Sequence, residues 1–199
     1  MAPSPQQPLN GQGVRRISGF RIATWNVGSI CGRGMEVCEE LRRRKVDVCC
    51  LQEVRWRGKG ARFLGIRGRR YKLWWSGNTK GIGGVGILIK EELCEKVVEV
   101  RRKSDRVMAV VLIFEEVVVR VICAHGPQSG RSEEEKDVFY DEMVSEWDLS
   151  MAKEFVLGLG DFNGHVGKWT EGFEGVHGGN GVGKRNLEGR RLLEFCDEK

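Results

Sequence analysis

The stretch Val46-Asp-Val-Cys-Cys-Leu-Gln52, followed at once by Glu53, decides how this chain folds. A short apolar run that follows a helix has the pattern of a strand buried on both faces, with cover above and below it. It also delivers a carboxylate, Glu53, at its C-terminal end, where α/β sheets place their chemistry. Working outward, residues 35–45 form a short helix with Cys38 and Leu41 on one face. Its last turn, Arg42-Arg43-Arg44-Lys45, suits the negative end of the helix dipole. Residues 20–27 before it read as another strand.

Further along, residues 71–76, 84–89, 107–114 and 117–124 have strand patterns, with Glu115-Glu116 turning the last two into a hairpin. Ser132 and Glu135 make a capping box, and Phe139, Met143 and Trp147 recur at four-residue spacing, so residues 133–147 form a helix with those side chains in the core. Residues 155–160 read as a second buried strand, ending in Asp161, and Asn186 caps a last helix to about Cys196. This order implies an α/β fold of two packed sheets flanked by helices.

Composition allows one domain, expected over residues 19–199, after a Pro/Gln/Gly-rich leader over residues 1–18 read as disordered. The leader lacks the basic-then-apolar order of a secretory signal, and no apolar run reaches the roughly 18 residues of a membrane span. Seven cysteines without a Cys-x-x-Cys pair read as reduced, mostly buried thiols. A nuclear or cytoplasmic, unexported chain with no membrane partner is the expectation; oligomeric state is left open. The net charge is +5, yet residues 54–72 hold eight basic residues, Arg55 and Arg57 among them, and no acid. Such a stripe suits a phosphate backbone, although a charge run taken alone is more often a solvated loop.

Three strand ends present polar groups toward one cleft: Trp25-Asn26, Gln52-Glu53 and Asp161-Phe162-Asn163. Cleaving a phosphodiester calls for a hard cation against the developing charge, and Mg²⁺ accepts one or two carboxylates while keeping its waters. Glu53 fits that role. Amides such as Asn26 and Asn163 orient neighbours or hold phosphate oxygens without adding charge, and Asp161 can orient or deprotonate water.

On the residues Ile22-Ala-Thr-Trp-Asn-Val27, Leu51-Gln-Glu-Val54 and Gly160-Asp-Phe-Asn-Gly164, the chain resembles the endonuclease/exonuclease/phosphatase superfamily. Within it, it is similar to endonucleases of RTE-type non-LTR retrotransposons and to craniofacial development protein 2-like proteins. The resemblance implies a four-layer α/β sandwich and Mg²⁺-assisted attack of water on a phosphodiester, with Mn²⁺ as a substitute and DNA as the partner. It implies Glu53 as metal ligand with Asn26 beside it, Asp161 aligning the nucleophile, and Asn163 holding phosphate. Arg106, in Ser104-Asp105-Arg106, corresponds to an arginine near the scissile phosphate, while an ordinary strand-start arginine is an equally good reading.

Two departures stand out. In Cys123-Ala-His-Gly-Pro-Gln128, His125 occupies the place of a phosphate-contacting tyrosine; imidazole is shorter and titrates near neutrality, so a weaker transition-state contact is expected. No Ser-Asp-His occurs before Lys199, which implies a domain with its C-terminal strands and histidine general base missing. His165 and His177 lie in loops and are read as loop residues. Trp56 and Trp169 are read as core rather than base-stacking, and the Gly-rich loop 177–186 as surface. Two alternatives to a metal-dependent endonuclease or abasic-site nuclease stay open: a nucleic-acid-binding remnant without turnover, and a phosphatase for a small phosphorylated molecule.

Overall fold

A computed structural model describes residues 20–199; the leader expected over residues 1–18 lies outside the described residues. In chain order the elements are β1 (Ile22–Asn26), α1 (Gly34–Arg43), β2 (Val48–Gln52), β3 (Lys59–Leu64), β4 (Tyr71–Ser76) and β5 (Val85–Lys90). After a 3₁₀ turn at Glu91–Lys96 come β6 (Val97–Arg102), β7 (Val107–Phe114), β8 (Val117–His125), α2 (Glu133–Trp147), β9 (Glu154–Asp161) and α3 (Leu187–Asp197).

The strands form two mixed sheets, one ordered β1-β2-β5-β4-β3 and the other β6-β7-β8-β9. Among the described residues β1–β2 and β8–β9 pair in parallel and the other pairs are antiparallel. The interior strand β2 is buried throughout, and its two-residue period sends alternate side chains into different cores. Cys49 and Leu51 pack under α1 with Val37, Cys38 and Leu41. Val48 and Cys50 face the other sheet, meeting Ile87, Ile89, Met108, Val110 and Val121. A third cluster joins Ile122 and Ala124 of β8 to Phe139 and Met143 of α2 and Phe195 of α3. Three cores between successive layers give the order helix, sheet, sheet, helix, the expected sandwich.

Four expectations need correction. Helix α1 stops two residues early because Lys45 is left-handed (φ 56°), and the backbone N–H groups of Arg44, Lys45 and Val46 close onto Glu40, Arg42 and Leu41. Strands β3 and β6 have no counterpart among the expected elements; both are sheet edges, where charged side chains are tolerated and the apolar alternation fades. β9, expected to be buried, is also an edge, and Phe155 and Leu157 are exposed on it. Finally, the basic stretch 54–72 is no single stripe. It folds through the β3–β4 hairpin, so Arg55, Arg57 and Lys59 lie at the end of the sheet near Glu53, while Arg67, Arg69 and Arg70 lie at the opposite end.

The cysteine expectation holds in its main part: Cys38, Cys49, Cys50 and Cys123 are buried and free, although Cys31 and Cys196 are exposed. Burial pushes the Cys49 thiol up to about 12 and that of Cys38 up to about 11, as a low-dielectric surrounding does to any thiolate. No helix among the described residues is long and apolar enough to cross a membrane.

Candidate active site

Parallel pairing brings strand C-termini side by side. In the first sheet Asn26 stands opposite Gln52, with Glu53 next in the chain, and in the second His125 stands opposite Asp161. Because β1 and β9 lie against each other across the sheet interface, the two pairs converge. Asn26 closes the gap: its Nδ2 donates to Asp161 Oδ2 at 3.0 Å and to Glu53 Oε1 at 3.3 Å, while its Oδ1 accepts from Gly28 N at 3.1 Å. The amide thus holds two carboxylates apart without adding a third negative charge.

The local backbone is strained where these groups sit. Among the described residues five non-glycine positions have positive φ, and three of them are Glu53 (57°), Arg55 (54°) and Asn163 (51°). The other two are a helix end and a hairpin turn, where such angles are ordinary. Left-handed backbone outside turns persists only where its surroundings hold it, and active sites are where it collects. Here the surroundings are specific: Asn163 N donates to Asp161 Oδ1 at 3.1 Å, and Asn163 Nδ2 donates to Gly126 O at 2.8 Å. Asp161 therefore accepts on both oxygens, and Asn163 keeps one amide hydrogen uncommitted.

Gly160 has a steric reason to be glycine. A Cβ there would lie 2.0 Å from the carbonyl oxygen of Ala124 on the neighbouring strand. Gly160→Ala should force β8 and β9 apart beside Asp161 and cost about 1–3 kcal/mol, an overpacking penalty that urea unfolding would measure. An unchanged urea midpoint would show that the strands give way more easily than this close approach implies.

The charges are biased. The Arg55 guanidinium donates to Glu53 at 2.6 Å, and this bond, aided by Asn26, holds the Glu53 carboxyl below its ordinary value. Burial lowers the His125 pKa, and the Arg106 charge lowers it further, against the opposing pull of Asp161, Glu53 and Asp105. Both depressed values act in one direction on folding. For His125 the stability is fully present above the ordinary 6.5 and is lost as pH falls through its lower folded value; for Glu53 it is fully present above the ordinary 4.5 and is lost as pH falls through a lower folded value. In a metal chelator, stability to urea should fall on acidification from about pH 6.5, and His125→Gln should flatten that upper part of the profile. A wild-type slope retained by the variant would place the titration elsewhere.

All five expected catalytic residues, Asn26, Glu53, His125, Asp161 and Asn163, meet at this end of the sandwich, along two open clefts. Asn26, Asp161, Asn163 and His165 line one of about 770 Å³. Glu53, Arg55, Arg106 and His125 line an adjoining one of about 340 Å³. Arg106 NH1 donates to the carbonyl of His125 at 3.2 Å, fixing the exit of β8. Arg57 does not line either cleft and packs against Gly81 instead. Among the described residues no group of three or more His, Cys, Asp and Glu is arranged around a common point.

Two cleft residues carry no motif in the sequence. Asn78 donates to Asp105 at 2.8 Å and to the Ile82 carbonyl at 2.7 Å, tying the β4–β5 loop to the turn before Arg106. Arg131, just ahead of α2, lines the same cleft. The one signal for Asn78 is its place beside a glycine between two strands. Of the other histidines, His177 is buried in a loop clamp, with Nδ1 accepting from Gly179 N at 3.0 Å and Nε2 3.0 Å from the Gly167 carbonyl. Trp56 packs edge-to-face on Trp75, as expected of a core residue, but Trp169 is 62% exposed, contrary to expectation.

The sequence pattern of the Endonuclease/Exonuclease/phosphatase family matches residues 23–185. Craniofacial development protein 2 of Bos taurus is 25% identical over 179 residues, which is 89% of this chain and 29% of that protein. The chain thus spans less than a third of that relative's length. Among solved structures, an AP endonuclease from Archaeoglobus fulgidus superposes with a TM-score of 0.60 at 21% identity, covering 90% of this chain and 70% of that one. The endonuclease domain of TRAS1, a telomere-specific non-LTR retrotransposon, superposes with a TM-score of 0.60 at 12% identity, covering 90% and 71%. At these identities the two structures speak for the fold.

Proposed function

Because this chain belongs to the endonuclease/exonuclease/phosphatase family, we propose that it is a divalent-metal-dependent phosphodiesterase of the endonuclease type, acting on DNA. The observation that carries this reading is the Asn26 amide bridging Glu53 and Asp161, two carboxylates delivered by different sheets. Such hard oxygen donors, few in number and open to a wide cleft, suit Mg²⁺, which binds through one or two carboxylates and retains water; Mn²⁺ has similar demands. Glu53 would hold the ion with Asn26 beside it. When bound, the cation supplies neutralisation of charge on the phosphoryl oxygens.

The chain's own groups do the remaining positioning. Asp161, held through both oxygens, orients a water toward phosphorus and accepts its proton. The uncommitted hydrogen of Asn163 and the N–H of a neutral His125 donate to non-bridging oxygens, where negative charge develops. Arg106 and Arg131 add positive charge along the cleft that flanks the scissile bond. A phenol at position 125 reaches further than an imidazole, so His125→Tyr should raise the turnover number about tenfold or more, by the magnitude of one well-placed donor. Equal rates for the two proteins would remove His125 from the phosphate contact.

The direct test is nicking of supercoiled plasmid with Mg²⁺, with Mn²⁺ and with a chelator. Metal-dependent nicking supports the proposal; tight, salt-sensitive binding without nicking supports a non-cleaving nucleic-acid binder instead. One observation favours that second reading: the Arg55 guanidinium already neutralises Glu53 and must yield to an incoming cation. Turnover of small phosphate esters with plasmid left intact would select the phosphatase alternative.

A further inference from the structure

The hairpin that splits the basic stretch carries half of it to the far end of the molecule. Tyr71 of β4 stands beside Lys90 and Ser76 beside Val85, so the β3–β4 turn lies one strand length, about 17 Å, from the Glu53 end. The helix α1 runs back along the sheet and ends there too. Arg42 and Arg69 consequently line the same small cleft together with Met35, Cys38 and Ile66. A second cleft, of about 220 Å³, is also bounded by Arg42 and Arg69, with Arg70 and Lys90.

The charges of this face are not consumed by its own acids. Glu40 takes Arg43 and Arg44, Glu91 takes Arg70, and Glu92 takes Lys90. Glu39 lies on the rim, and Asp47, whose carboxylate accepts from the Arg21 N–H at 2.9 Å, acts on Lys90. Among the described residues no acid pairs with Arg42, Lys45, Arg67 or Arg69, and all four are exposed. The carbonyls of Glu40, Leu41 and Arg42 at the end of α1 are taken by the backbone N–H groups of Arg44, Val46 and Lys45 rather than by these side chains. The turn that presents Arg67 and Arg69 is held in place: Gly65, at φ 94°, sits so close that a Cβ would be 3.1 Å from the Arg69 carbonyl and 3.5 Å from Cys38 Cβ. Four cations from two distant segments are thus pre-positioned on one surface.

We propose that this distal face is a second nucleic-acid-binding surface, which grips the phosphate backbone of a segment separate from the one in the active-site cleft. Arginine supplies three of the four unpaired cations, and its planar fork matches phosphate oxygens two at a time. A protein partner would call for a continuous apolar centre, and the exposed apolar groups described at this end, Met35, Ile66 and Phe63, do not supply one, since the Arg70 guanidinium lies over the Phe63 ring at 4.3 Å.

The test uses the full chain in a chelator, titrated by fluorescence anisotropy against a labelled random-sequence duplex, a labelled RNA and labelled polyglutamate at several salt concentrations. The triple variant Arg42→Glu, Arg67→Glu, Arg69→Glu should bind at least one of them about tenfold or more weakly. The slope of log affinity against log salt should fall by about 0.9 for each phosphate no longer neutralised. The triple glutamine variant should move in the same direction by less, with an unchanged thermal midpoint. A chain reversed in the cleft, Arg55→Glu with Arg106→Glu, should retain the distal contribution. Unchanged affinity and slope on both nucleic acids in the distal variants overturns the proposal. So does loss of polyglutamate binding alone, which would assign the face to an acidic protein.

Discussion

Asp161→Ala should lower metal-dependent plasmid nicking by about 10²- to 10⁴-fold, the range spanned by loss of a positioned acid–base group, and Glu53→Gln, which removes the charge that would hold the cation, should lower it comparably. The two carboxylates share one amide, Asn26, so they are elements of a single arrangement. Groups that act as a unit are strongly non-additive, and the double variant should therefore be little slower than the worse single one. The Glu53→Gln side chain keeps its volume and its bond to Arg55 is weakened, so folding is expected to survive, which circular dichroism would check. Binding of a duplex in chelator should change far less than turnover. Nicking that persists through both substitutions would mean that this end of the sandwich is not the reacting centre.

A second large effect concerns stability. Arg120 of β8 and Glu154 of β9 form an ion pair of 2.8 Å whose side chains are only 5% and 8% exposed. The pair lies on the helix-facing side of the sheet, and Arg120 NH1 finds no acceptor there. Arg120→Ala would leave a buried carboxylate without its cation, and removing one partner of such a pair typically costs about 3–5 kcal/mol. Replacing both, as Arg120→Met with Glu154→Leu, should cost far less or stabilise the fold, because neither charge is then desolvated. Urea unfolding of wild type, single and double variants forms the check. A single variant within about 1 kcal/mol of wild type would show that the pair is far wetter than its burial implies.

That ion pair shows why burial is hard to anticipate. Nothing in Val-Val-Val-Arg120-Val marks the arginine as buried, since its environment is made by β9 and α2, which lie later in the chain. The same holds for the edge strands. β3 and β6 carry several charges and little alternation, so periodicity misses them, and only pairing with β4 and β7 defines them as strands. Phe155 and Leu157 look like core in the sequence, yet they lie on β9, at the edge of its sheet.

The location of the candidate site is more legible than the packing. Asn26, Glu53 and Asp161 each follow a strand signal directly, so local sequence alone places them at strand ends, and parallel pairing then gathers them. Their residue types are enough to suggest a hard cation and a phosphate. What only the tertiary structure decided is how they are held: the amide between two carboxylates, the left-handed backbone at Glu53, Arg55 and Asn163, and the link from Asn78 to Asp105. It also decided that a basic run continuous in sequence is divided between two opposite ends of the sheet. The physical reason is the same in each case. Strand and helix signals act over a few neighbours, whereas charge, burial and hydrogen bonding are settled by residues that approach only when two sheets close on one another.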